Sequence, residues 1–257
     1  MEEKSEDCCS NDRGPISVFS QKTVTQRLKE FVKDKKKYEV EYTMLRYSAI
    51  AFLLLVILEV MGYFAFFRNT PDFIADYAWW IFYIDLTVIS IGAAIWHFKA
   101  YKARFNCMLG MMIGMTFGMQ VGMMLGTILG ATNGLFIGGT VGMILAQVVG
   151  IYTGNCCGIM GILEGMMAGV MGGVMGGMIG TMFIVDNILL FMPFFMLSNL
   201  LIMWGTSYML FEEVVEDNSQ TTKQPIDFTT FFSASLIVTG LLIAFIVYGP
   251  KTGLAAL

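Results

Sequence analysis

Charge is what this sequence has least of. Asp, Glu, Lys and Arg make up 14% of its 257 residues, where a soluble domain carries about 25%. Histidine is almost missing too. His97 is the single one, which excludes bis-histidine haem, di-iron centres and most zinc sites. There is no G-x-S-x-G nucleophile motif, no phosphate-binding P-loop and no C-x-x-C pair. The last apolar run, 228–248, has no lysine for a retinal Schiff base. These absences speak against an enzyme, and they make any transport secondary or passive. The opening MEEKSEDCCSNDRG is polar and acidic rather than basic and then apolar, so no cleavable signal peptide is expected.

What is present is apolar sequence. The AVILMFWYC residues reach 56%, and the mean hydropathy is +0.67. The charge is segregated into the first 46 residues, a basic patch at 99–104 and an acidic stretch at 212–227. Between these lie continuous apolar runs. A helix of roughly 20 residues crosses about 30 Å of hydrocarbon, whereas an outer-membrane barrel would show short alternating segments. The expectation is an all-α, polytopic transmembrane bundle of about seven spans: 43–67, 74–98, 107–130, 135–153, 157–183, 187–211 and 228–248. Residues 1–20 read as a disordered tail and 249–257 as a short C-terminal tail. Residues 21–42 read as a basic helix, either lying amphipathically on the membrane or solvated beside it.

Lys and Arg set the expected orientation. Lys22, Arg27, Lys29, Lys33, Lys35, Lys36, Lys37 and Arg46 precede the first span, and Lys99, Lys102 and Arg104 follow the second. The positive-inside rule then places the N-terminus in the cytoplasm and, with seven spans, the C-terminus outside the cell membrane. The expected surroundings are lipid and a second copy of the chain; nothing points to nucleic acid.

The most specific pattern is glycine at every fourth residue. Gly110, Gly114, Gly118, Gly122, Gly126 and Gly130 run without a miss, and the register continues through Gly134, Gly138, Gly142, Gly150, Gly154 and Gly158, with Ala146 in one slot. It shifts by one step and resumes at Gly161, Gly165, Gly169, Gly173 and Gly177. Glycines at i and i+4 form a groove along one helix face, into which a second backbone fits. Glycine costs about 1 kcal/mol against alanine inside a helix, and close packing is what drives helix association in lipid. Spans three to five are therefore expected to form a tight core, within one chain or between chains.

Methionine, 22 residues in all, concentrates in the same region. Met111, Met115, Met119 and Met123 form one stripe, Met167, Met171 and Met175 another, and Met178 with Met182 a third. They are either flexible filler beside glycine or thioether ligands suited to Cu(I). The combination of M-x-x-x-M with G-x-x-x-G resembles the pattern of the Ctr copper transporter family over a few residues. The cysteines are Cys8, Cys9, Cys107, Cys156 and Cys157. On the expected topology all face the cytoplasm as reduced thiols: metal ligands, acylation sites or small apolar filler. The adjacent pair Cys156–Cys157 at a membrane boundary is similar to that of the mercuric ion transporters, again over a short match.

Carboxyl groups inside apolar runs are costly and mark function by default. Glu59, Asp85 and Glu164 are of this kind, accompanied by Gln120, Gln147 and Asn199. Glu59 and Asp85 are expected at similar depth, roughly 18–21 Å along each helix from their connection, and Gln147 and Glu164 at another shared depth. No Lys or Arg lies deep in any run, so these acids are protonated or paired with a cation; a purely structural carboxyl bonding a neighbouring helix is the other reading. Two functions follow. One is a transporter or channel for a soft metal or another cation, with Cys156, Cys157, Glu164, Met160 and Cys107 as metal ligands and Glu59, Asp85, Gln120 and Gln147 as the ion or proton route. No cofactor is fixed by the sequence; the ligand these donors suit is a soft metal ion, Cu(I), Hg(II) or Zn(II). The other is a scaffold in which glycine packing is itself the function.

Overall fold

The structure, a computed structural model, describes residues 39–64, 73–102, 107–185, 187–215, 222–223 and 228–250. The expectations for residues 1–38, and the tail beyond Pro250, lie outside them. The described residues form seven helices: α1 (Glu39–Gly62), α2 (Phe73–Ala100), α3 (Cys107–Asn133), α4 (Leu135–Gly154), α5 (Gly158–Met182), α6 (Ile188–Val215) and α7 (Phe228–Tyr248). The only strand pairing among them is a two-residue antiparallel bridge, in which Tyr101 and Lys102 lie opposite Lys223 and Thr222.

Six helical segments are long and apolar enough to cross a membrane, so the chain is a multi-pass membrane protein. The difference from the seven expected spans lies in one segment, Leu135–Met182, which runs 48 residues without a helical break. It contains both α4 and α5. The 3₁₀ turn Asn155–Cys157 joins them, and the chain doubles back there.

The turn positions are chemically distinct from the packing glycines although they share their register. Gly134, between α3 and α4, has φ 98°, and Gly158, at the start of α5, has φ 66°. Both values are disfavoured for residues with a Cβ. The period of four thus continues through two bends, and the ladder folds onto itself within one chain. Gly114 meets Gly154 and Gly161; Gly118 meets Gly150 and Gly165; Gly126 meets Gly142 and Gly173; Gly130 meets Gly138 and Gly177. At the middle level Ala146, fully buried, faces Gly169. Helix α4 runs antiparallel to both α3 and α5, and the three backbones touch directly. A Cβ built on Gly114 would lie 2.9 Å from the Gly154 Cα, and one on Gly118 would lie 2.8 Å from the Gly165 carbonyl oxygen.

Helix α5 carries a second row that the single-ladder reading misses. Gly172, Gly176 and Gly180 lie against the α3 backbone at Met119, Met123 and Thr127, while Gly165, Gly169, Gly173 and Gly177 face α4. The doublets in MGGVMGGMIG are its sequence signal. Gly110 departs from the pattern: it faces the thiols of Cys156 and Cys157 rather than a helix backbone.

The remaining four helices form a second layer built from large side chains. Helix α2 is its centre, packing on α1, α7, α3 and α6. Tyr83, Ile84, Val88 and Ile91 of α2 share a core with Ile113, Phe117, Val121 and Met124 of α3 and with Met192, Met196 and Met203 of α6. A smaller cluster joins Ala51 and Leu55 of α1 to Ile89 and Phe231. Helix α7 runs antiparallel to α2, since Gly92 faces Phe231 and Ser235 while the Trp96 ring meets Phe231. Buried Asn133, at the end of α3, donates to the Pro250 carbonyl at 3.4 Å and ties the bundle to the end of α7.

Candidate functional site at the acid pair of α1 and α2

Inside a bilayer a side-chain hydroxyl needs a partner, and most hydroxyls here find one in their own helix. Thr87 donates to the Tyr83 carbonyl at 2.7 Å, Thr127 to Met123 at 2.7 Å, Thr153 to Val149 at 2.9 Å, Thr206 to Ile202 at 2.9 Å and Ser235 to Phe231 at 3.0 Å. Asn199 is satisfied in the same way, donating to the Phe195 carbonyl at 2.7 Å. These residues need no further explanation.

What remains is a short set. Both oxygens of Asp85, Oε1 of Glu59, Oε1 of Gln120 and the Thr239 hydroxyl are buried without a conventional hydrogen-bond partner. The first two residues belong together: the Glu59 carboxyl lies beside that of Asp85, within hydrogen-bonding reach. Asp85 is fully buried. Two carboxylates offer only acceptors, so this pair can satisfy itself only with a shared proton or a cation between its oxygens. No Lys or Arg stands between Arg46 and Arg68 on α1, or between Arg68 and Lys99 on α2. From Gly92 opposite Phe231 and Ser235, two turns along the antiparallel pair bring Thr239 and Gly240 to the level of Asp85. Gln120 is buried on α3.

The structure brings the two carboxyls together, as the expected similar depth of Glu59 and Asp85 requires. The α-type part of α1 ends at Gly62 and passes into a π-helical turn at Tyr63 and Phe64. Asp85 lies twelve residues into α2, roughly 18 Å along it.

A cavity of about 540 Å³ leads toward this level from the other end of α2. It lies between α1, α2 and α6, runs from His97 to Leu86, and is lined by Tyr42, Phe52, Ser90 and Tyr208 among others. Leu86 is the direct neighbour of Asp85.

The proposed metal ligands divide. Cys156 and Cys157 come together with their Sγ atoms 3.9 Å apart. Cys107 opens α3, and its side chain lies outside the described residues. Among the described residues no group of three His, Cys, Asp or Glu gathers, so Glu164 does not join the cysteines. Met160 is exposed on the bundle surface. Gln147 lies against Gly169, more than a turn from Glu164, because the antiparallel register puts Glu164 opposite Ile151; the shared depth expected for Gln147 and Glu164 is not found. The methionine stripes do not line a groove. Met115, Met167, Met171, Met175, Met178 and Met182 point outward, and Met171 is 55% exposed. The methionines that are buried are others: Met44, Met124, Met192, Met196 and Met203.

Compared with known proteins, the chain matches no family model, no curated protein and no solved structure.

Proposed function

We propose that the protein is a secondary or passive transporter of a cation, and that the Glu59–Asp85 pair is where the proton or metal ion is held. One observation carries this reading: two carboxyls face each other in an apolar helix layer with no basic residue to balance them. A purely packing role has no use for such a pair, since apolar side chains of similar volume are as stable or more so. The cavity along α2 reaches Leu86, the chain neighbour of Asp85, although neither carboxyl lines it. The glycine bundle takes the role of a fixed frame. Its backbones close on each other, which favours passage through the outer layer over passage between α3, α4 and α5. Residues rich in Lys and Arg at the N-terminal side place that end in the cytoplasm in this reading, and no covalent chemistry is part of it.

The test uses the purified full chain in liposomes. Proton influx is followed with an enclosed pH dye under an imposed potential, and Zn(II) and Cu(I) uptake is followed in parallel. Movement of at least one of these ions, lost in Asp85→Asn and in Glu59→Gln, is the expected result. Absence of all three fluxes, or a flux that both variants retain, sinks the reading.

A further inference from the structure

Cys156 and Cys157 take no part in the acid pair, and their geometry calls for its own account. They occupy the 3₁₀ turn between α4 and α5, at the end of the bundle where α3 begins. Gly158 follows with φ 66°, so the turn has a backbone that side-chain-bearing residues rarely adopt. Adjacent residues in a helix point about 100° apart, yet here both thiols converge over one atom, the Gly110 Cα. A Cβ at Gly110 would collide with Cys157 Sγ and stand 2.7 Å from Cys156 Sγ. Cys157 is buried and Cys156 half-buried, and the Cys156 thiol donates to the Thr153 carbonyl at 3.5 Å.

We propose that Cys156 and Cys157 form a chelating dithiolate site for a soft cation of the Cu(I) class, with Gly110 as the floor that keeps its space open. The two sulfurs stand at a separation of 3.9 Å, with the Cys156 thiol donating to Cys157 Sγ. With metal–sulfur bonds of about 2.3 Å this separation subtends an angle of roughly 116°, the value of a three- or four-coordinate ion; a linear two-coordinate ion would need about 4.6 Å. Held at that separation, the pair leaves room for at least one more donor. An incoming thiol is the source of that donor. Both thiols lose their protons on binding. This site stands apart from the acid pair, so either can fail without the other.

The experiment uses the full chain carrying Cys8→Ser and Cys9→Ser, which removes the tail thiols from the count. It is kept reduced in nanodiscs and titrated with Cu(I) against a chromophoric Cu(I) chelator. One Cu(I) per chain is expected, lost in Cys156→Ser/Cys157→Ser and weakened about 10- to 100-fold in Gly110→Ala. X-ray absorption should show a sulfur shell at about 2.3 Å with more than two ligands. A second readout needs no substitution in the turn: Cu(I) should protect Cys156 and Cys157 from maleimide, read by mass spectrometry. No stoichiometric binding, binding kept in Cys156→Ser/Cys157→Ser, or labelling unchanged by Cu(I) overturns the proposal. Unchanged affinity in Gly110→Ala overturns the part assigned to Gly110.

Discussion

The two halves of this molecule solve the same problem with opposite materials. Helices in lipid gain nothing from burying apolar surface, since the solvent is apolar as well, and must be held by contact and by hydrogen bonds. The α3–α5 bundle does this with almost no side chain at its core, stacking glycine on glycine so that backbone atoms supply the contact. The layer of α1, α2, α6 and α7 does it with Tyr83, Ile84, Met192 and Met196 interlocked around α2. The first solution is uniform and has no room for a polar group at its axis. The second leaves a cavity beside α2 and holds the carboxyl pair. Backbone packing and the carboxyl pair are thereby separated in space, and substitutions in the two halves should behave differently.

The largest effect is expected in the bundle. In Gly173→Leu the new side chain would start in collision with the backbone of Met143. Overpacking a core costs about 1–3 kcal/mol where neighbours can yield. Here the neighbours are helix backbones, so loss of the folded chain is expected, seen as aggregation in size-exclusion chromatography. The outer layer can be read separately, because Trp79, Trp80, Trp96 and Trp204 all lie on α2 and α6. If tryptophan fluorescence and helical circular dichroism melt at different temperatures in a milder variant such as Gly126→Ala, the two halves unfold as separate units.

Methionine gives the next contrast. Met196→Ala removes a fully packed side chain that also meets the Thr87 hydroxyl at 3.9 Å, and should cost about 2–5 kcal/mol. Met171→Ala, on the exposed face of α5, should stay within about 0.5 kcal/mol. Equal losses at the two sites, measured by thermal unfolding in one detergent, would mean that the α5 face is covered by another copy of the chain rather than by lipid.

These sites also show what the sequence makes legible. The glycine ladder is visible because backbone contact needs glycine at every touching position, and nothing else writes a period of four so strictly. The acids are visible because hydrocarbon makes each one costly. Methionine orientation is not visible, since a lipid-facing and a protein-facing position are both apolar; Met171 and Met196 look alike until the helices are placed. The ladder alone does not separate turn glycines from packing glycines: the Asn133–Gly134 pair marks one turn in the sequence, with φ 98° at Gly134, while only its backbone angle sets Gly158 apart.

A moderate effect of opposite sign is expected at the acid pair. Glu59→Leu/Asp85→Leu removes two buried carboxyls that have only each other, and should leave stability unchanged or raise it by about 1–4 kcal/mol, while abolishing ion flux. A marked fall in melting temperature would instead make the pair a structural link between α1 and α2.

The smallest effect gives the cleanest comparison, because the same substitution is made in both halves. Gly240→Ala and Gly205→Ala add a methyl where no heavy atom lies within 4 Å, whereas Gly126→Ala places one 2.8 Å from the Gly173 carbonyl oxygen. In open space alanine gains about 1 kcal/mol over glycine in a helix. Thermal unfolding should therefore rise slightly for the first two and fall for the third. Gly205 on α6 and Gly240 on α7 are both exposed and serve as paired references. If Gly126→Ala gains stability as they do, the backbone contacts of the bundle yield at no cost, and the contrast between the two halves fails.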